Sequence, residues 1–219
     1  MLLLAVDTAT PAVTVALHDG VSVLAAESQV DARRHGELLL PAVDRVLAEA
    51  GRALGAVTDL VVGVGPGPYT GLRVGLVTAA AFGSTLGVPV RGLCTLDGLA
   101  YAAGLGEPFV VATDARRKEV YWARYADSRT RLTEPAVDRP ADIAAELAGL
   151  PVVGAGGALY PEAFPDTRPP GHQSAAALAS LAAERLAAGD TDGFLPPLPL
   201  YLRRPDAQVP KNYKVVTPR

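Results

Sequence analysis

An aspartate with two hydroxyl side chains just after it, Asp7-Thr8-Ala9-Thr10, closes the first apolar run of the chain. At a strand end, an acid and hydroxyls can meet the phosphates of a nucleotide and its metal, or the carboxylate can cap the turn by bonding local backbone N–H groups. A second stretch, Gly63-Val-Gly65-Pro-Gly67-Pro-Tyr-Thr-Gly71, separates a strand from a helix. Backbone N–H groups in that position can cradle a phosphate. The stretch lacks the Gly-Lys-Ser/Thr ending of a P-loop, because Leu72 and Arg73 follow Gly71, and Pro68 stands where a dinucleotide fingerprint needs its third glycine. The other reading is a tight turn that requires positive φ and close backbone approach. Asp7, Thr8, Thr10, Gly65 and Gly67 are therefore the candidate nucleotide-binding residues, weighed against a purely conformational role.

Other chemistries are poorly supplied. Histidine occurs only at positions 18, 35 and 172, without an HxxxH or HExxH pair, so a two-histidine metal site on one helix turn cannot be built. We expect no catalytic metal. No G-x-S-x-G elbow is present for Ser-His-Asp catalysis. His35 reads as a capping or interface side chain. The single cysteine, Cys94, can form neither an internal disulfide nor a cysteine cage, which points to the cytoplasm. A formal net charge of -3 argues against binding nucleic acid through bulk positive charge. Local basic clusters remain at Arg33-Arg34, Arg116-Arg117-Lys118 and Arg203-Arg204. The stretch from 203 to 219 carries five Lys/Arg against Asp206 alone, a solvated tail or one that touches RNA phosphates.

The elements that must position these residues follow from the hydrophobic pattern. With 49% hydrophobic and 20% charged residues the chain is globular, and its apolar stretches are too short for a membrane span. Asp7 interrupts the opening apolar run, which reads as a doubly buried strand rather than a signal peptide. Val13, Val15 and Leu17 alternate, Asp19-Gly20 turns, and residues 23–28 complete a meander. A helix over 36–50, kinked or tilted near Pro41, a strand over 60–64, a helix over 72–86, a strand over 88–93 and a helix over 96–103 follow. This βββαβαβα order predicts an α/β fold with a mixed sheet and helices on its faces. Residues 104–108 join it to a smaller half, giving expected domains 1–105 and 106–219. The second half should contain strands at 109–113, 119–125 and 152–154 and helices at 141–148 and 175–188. Prolines 196, 197, 199, 205, 210 and 218 predict an extended tail after Gly189.

The helix over 72–86 carries Gly75, Ala79 and Gly83 at i, i+4, i+8, a small-residue stripe suited to close approach of another helix. Its other faces hold Val74, Leu76, Val77, Ala81 and Phe82, so it must be covered on more than one side, by the first helix or by another chain.

Five segments in order carry a resemblance that runs over almost the whole chain. They are Asp7-Thr8-Ala9-Thr10-Pro11, the segment from His35 to Pro41, the loop from Gly65 to Gly75, the segment from Asp114 to Tyr121, and Pro199-Leu-Tyr201-Leu-Arg203. Together they are similar to the TsaB (YeaZ) family. The resemblance implies an actin-like, Hsp70-like and sugar-kinase-like (ASKHA) fold of two related halves. It also implies a scaffold role in forming N6-threonylcarbamoyladenosine beside the anticodon of tRNAs that read codons beginning with A. Its implied partners are a TsaD-like transferase, which the chain would activate, and through that complex a TsaE-like ATPase. A homodimer is implied in isolation, and contact with tRNA only indirectly. The expected partner face comprises His35, Leu39, Val43, Val46, Gly75, Leu76, Ala79, Ala80 and Gly83. By position, the metal histidines of the catalytic relative would fall at Thr95 and Leu99, and Ala9 replaces a glycine usual in nucleotide-binding members. Both departures predict a subunit with no cofactor and no catalysis of its own. The rival reading is an actin-like ATP-dependent phosphotransferase that uses Asp7 and the glycine loops.

Overall fold

A computed structural model describes residues 1–203 of the chain. Strands β1 (Leu3–Asp7), β2 (Ala12–His18) and β3 (Val23–Val30) form an antiparallel meander. Helix α1 (His35–Glu49), β4 (Asp59–Gly63), α2 (Tyr69–Leu86), β5 (Val90–Leu93) and α3 (Thr95–Ala103) follow. Strands β4 and β5 add in parallel beside β1, giving the order β3-β2-β1-β4-β5. Gly87, at φ 67° beyond the last residue of α2, donates its N–H to the Gly83 carbonyl and ends that helix. The next segment holds β6 (Phe109–Asp114), β7 (Val120–Tyr125), β8 (Ala136–Asp138), α4 (Pro140–Ile143), β9 (Val152–Val153), α5 (Ala155–Leu159) and β10 (Thr167–Arg168), and α6 (Ala175–Ala187) comes last.

The second sheet runs β10-β9-β6-β7-β8. Its antiparallel trio β6-β7-β8 and parallel additions β9 and β10 repeat the pattern of the first sheet. Two related halves with mixed sheets and flanking helices constitute the actin-like fold.

Packing decides what the periodicity left open. One face of the first sheet buries Leu4, Val6, Val15, Leu60 and Val62 beneath Leu39, Val43 and Val46 of α1 and Leu72, Leu76 and Ala79 of α2. The opposite face buries Leu3, Ala5, Ala16 and Val61 beneath Leu178, Ala179 and Ala182 of α6. All seven residues of β2 are buried, because α6 packs on the face that carries Ala16 while α1 and α2 pack on the other. Thus α6, sequentially in the second half, completes the first. The boundary expected at 105/106 lies between the two sheets but not between the two sets of packed helices.

Other expectations need correction. Helix α2 begins at Tyr69, three residues early, and β5 begins at Val90, since Pro89 precedes it. The helix over 141–148 is helical only through Ile143 and continues as turns; β8, α5 and β10, each five residues or shorter, were below the reach of periodicity. The segment after Gly189 is docked as far as it is described. Leu195 exchanges backbone hydrogen bonds with Gly92, the Leu200 N–H donates to the Val64 carbonyl, and both side chains pack on the cores. The expected extension of 204–219 lies outside the described residues.

Candidate functional site

Asp7 ends β1 with no exposed surface. Its Oδ1 accepts the Ala9 N–H at 2.7 Å and its Oδ2 accepts the Thr95 hydroxyl at 2.8 Å. Thr95, the first residue of α3, also accepts the Gly65 N–H at 3.2 Å and donates its own N–H to the Gly65 carbonyl at 2.8 Å. Burial pushes the Asp7 carboxyl up to about 6 against the opposing pull of these donors. The Gln173 side chain lies beside Asp7, 2% exposed, but both of its amide atoms lack a partner in hydrogen-bond geometry.

The glycine loop fits around this knot. A Cβ at Gly63 would overlap the Asp7 carboxylate, and one at Gly67 would overlap the Ala9 carbonyl. Gly65 adopts φ 97°, which favours glycine. Thr8 Oγ1 donates to the Gly71 carbonyl at 2.8 Å and accepts the Gly75 N–H at 2.9 Å. Thr10, 6% exposed, bonds the Ala12 N–H. The five candidate nucleotide residues are therefore brought together, but the polar atoms of Asp7, Thr8, Thr10 and Gly65 are bonded to Thr95, to local backbone N–H groups and to the α2 backbone. A tight turn with close approach is the geometry observed.

The expected partner face is redrawn by the structure. Leu39, Val43, Val46, Leu76 and Ala79 are each 7% exposed or less and pack in the chain's own core. Gly75 and Gly83 are buried against Thr8 and Val90, so the small-residue stripe serves the approach of α2 to its own sheet and not to a second helix. Of the expected residues, His35 is half-buried and Ala80 exposed. His35 Nε2 lies 2.9 Å from the Thr10 carbonyl, which fixes that nitrogen as the donor and ties the start of α1 to the turn. The face that α1 and α2 turn outward holds Leu40, 51% exposed, and Val77, 67% exposed, with Ala80 and Ala81.

Asp114, at the end of β6, repeats one feature of Asp7: its Oδ1 accepts the N–H of the residue two further on, Arg116, at 2.7 Å. Here the resemblance stops. Asp114 also pairs with the Arg116 guanidinium at 3.2 Å, and Arg116, Arg117 and Lys118 are exposed. These three residues have φ of 61°, 55° and 62°, a left-handed run that costs roughly 1 kcal/mol or more per residue. Across a cleft of 470 Å³ stand Tyr69 and Tyr201, stacked at 5.1 Å, with the Arg73 guanidinium 3.7 Å from the Tyr69 ring centre. Arg73 Nε donates to the Tyr201 hydroxyl at 2.9 Å. Arg203 pairs with Glu119 at the same rim. The sequence reading marked the basic triplet as a cluster; the tyrosine pair, 132 residues apart, carried no local signal. Thr95 and Gln173 were missed as companions of Asp7 for the same reason.

Cys94 is fully buried, and burial pushes its thiol up to about 12, which suits packing and not nucleophilic chemistry. Among the described residues no group of three His, Cys, Asp or Glu side chains is placed to hold a metal, and no helix is long and apolar enough to cross a membrane.

A family model described as TsaD, tRNA N6-adenosine threonylcarbamoyltransferase, matches residues 27–165. An uncharacterised protein of Mycobacterium tuberculosis is 46% identical over 212 residues, spanning 94% of this chain and 93% of its own. The tRNA threonylcarbamoyladenosine biosynthesis protein TsaB of Escherichia coli is 37% identical over 129 residues, spanning 57% of this chain and 55% of its own. Among solved structures, YeaZ from Pseudomonas aeruginosa superposes with a TM-score of 0.77 at 31% identity, covering 92% of this chain and 100% of that one.

Proposed function

The chain belongs to the TsaB/YeaZ family, and on that membership we propose that it works in the formation of tRNA threonylcarbamoyladenosine as a non-catalytic subunit that pairs with a TsaD-like transferase and activates it. The observation that carries the non-catalytic reading is the Asp7–Thr95 knot. An actin-like phosphotransferase needs the first-strand carboxylate and the glycine loop open toward a nucleotide. Here the carboxylate is fully buried, bonded to Thr95 and the Ala9 N–H, and the loop closes on the Asp7 and Ala9 atoms. Leu99, at the other position where the resemblance would put a metal histidine, is fully buried in the core.

Pairing is assigned to the exposed sides of α1 and α2, which carry Leu40 on the first helix and Val77, Ala80 and Ala81 on the second. The same face serves a homodimer when the transferase is absent, so the two assemblies exclude one another. On this reading a TsaE-like ATPase joins through the complex, and the chain works in the cytoplasm. The test is co-purification with the transferase of the same host. Val77→Arg, on the exposed side of α2, should leave the circular dichroism spectrum unchanged and weaken both assemblies at least about tenfold, because a charge is desolvated at the contact. Undiminished pairing by a folded Val77→Arg variant would remove this face from the interaction.

A further inference from the structure

We propose that the cleft between the two halves, walled by Tyr69 and Tyr201 on one side and by Arg116 and Arg117 on the other, is a binding track for single-stranded RNA. The inference extends the proposed pathway role by giving this chain a direct contact with the RNA, and it rests on that role for the choice of RNA.

The shape and chemistry come first. The cleft has a volume of 470 Å³, which accommodates one nucleotide unit. A neighbouring recess of 230 Å³ shares Pro68 and Arg116 with it and adds Arg33 and His35 to its lining. Two adjoining cavities that share an arginine describe a path for successive nucleotides rather than a closed pocket for one. Tyr69 and Tyr201 are stacked, yet 47% and 39% exposed, so an unstacked base can extend the pile.

Charge points the same way. Arg73, Arg116, Arg117 and Arg203 gather about the cleft, faced by the carboxylates of Asp114 and Glu119. This clustering of basic residues stands on a chain whose net charge is -3. The triplet Arg116-Arg117-Lys118 holds a left-handed backbone that none of its residues favours, clamped by the Asp114 bond to the Arg116 N–H and by the paired backbone bonds between Ala115, Arg116 and Glu119. A strained turn fixed at both ends and carrying guanidinium groups at a cleft rim is the arrangement expected of a phosphate clamp.

The test is fluorescence anisotropy with the full-length chain and two labelled probes, an anticodon stem–loop and an unstructured oligouridine. Both should bind saturably. The logarithm of affinity should fall with the logarithm of salt with a slope of about −2, as for three phosphate contacts on a single strand. Arg116→Gln and Arg117→Gln should each lower that slope, whereas Tyr201→Leu should weaken binding about tenfold with the slope kept, because a stacking partner is lost and not a charge. Circular dichroism identifies any variant that fails to fold, and the remaining variants then carry the test. Absence of RNA binding, binding unchanged in all folded variants, displacement by free ADP as effectively as by RNA, or equal competition by polyglutamate would each overturn the assignment. Pairing with the transferase, measured on the same variants, should be unaffected. Loss of pairing by wild-type chain would instead contradict the proposed role and leave the RNA measurement standing.

Discussion

Asp7 and Asp114 stand at the ends of the central strands of two sheets built in the same order, and each accepts the N–H of the residue two positions on. Their surroundings are opposite. Asp7 is fully buried, bonded to Thr95 and set closely against Gly63; Asp114 is half-buried beside an exposed arginine at the rim of a cleft. The helices around them differ as well. The first half has α1 and α2 with 15 and 18 residues, and the second has α4 and α5 with 4 and 5. One half buries its strand-end carboxylate in packing and carries two long helices. The other keeps its carboxylate wet and arranges basic residues around it. A duplicated turn has thus become a structural knot in one copy and a charged rim in the other.

The sharpest way to break this contrast is steric. Gly67→Val should destabilise the chain by about 4 kcal/mol or more, because its side chain meets the Ala9 backbone and not a flexible neighbour. Urea unfolding checks it, and a variant within about 1 kcal/mol of wild type would show that the loop is looser than the contacts imply.

Titration gives the next effect. The folded-state pKa of Asp7, about 6, lies above its unfolded value, so the native state binds the extra proton between the two. The associated stability is fully present below about pH 4 and is lost as pH rises through about 6, to a total of roughly 3 kcal/mol. Asp7→Asn should flatten this part of the stability profile and be at least as stable as wild type at neutral pH. A profile equally steep in the variant would assign the proton elsewhere. Asp114→Asn should change stability by less than about 1 kcal/mol, since it keeps an oxygen for the Arg116 N–H and loses only an exposed ion pair. Thermal melts of the two variants side by side measure the difference between the halves.

How much of this could be read from sequence depends on the range of the contact involved. The order βββαβαβα was legible because long apolar runs and breakers repeat over tens of residues, and Gly63, Gly65 and Gly67 announced a close turn. The small-residue stripe was legible as close packing, but what it packs on was not: Thr8 and Val90 fill Gly75 and Gly83, at positions that helical periodicity does not identify. The covering of β2 by α6 joins residues more than 150 apart, and the Tyr69–Tyr201 stack joins residues 132 apart. The partner residues drawn from the apolar stripe were mostly core residues, because hydrophobic periodicity marks what is buried and not which chain buries it.

The central claim is that the chain supports its partner without performing the chemistry, and threonylcarbamoyl transfer to tRNA by the TsaD-like transferase measures it directly. The transferase alone should give little product, addition of wild-type chain should restore transfer, and Asp7→Asn should restore it equally while Val77→Arg should not. Full transfer without the chain, or an Asp7→Asn variant that pairs normally yet abolishes transfer, would contradict the account.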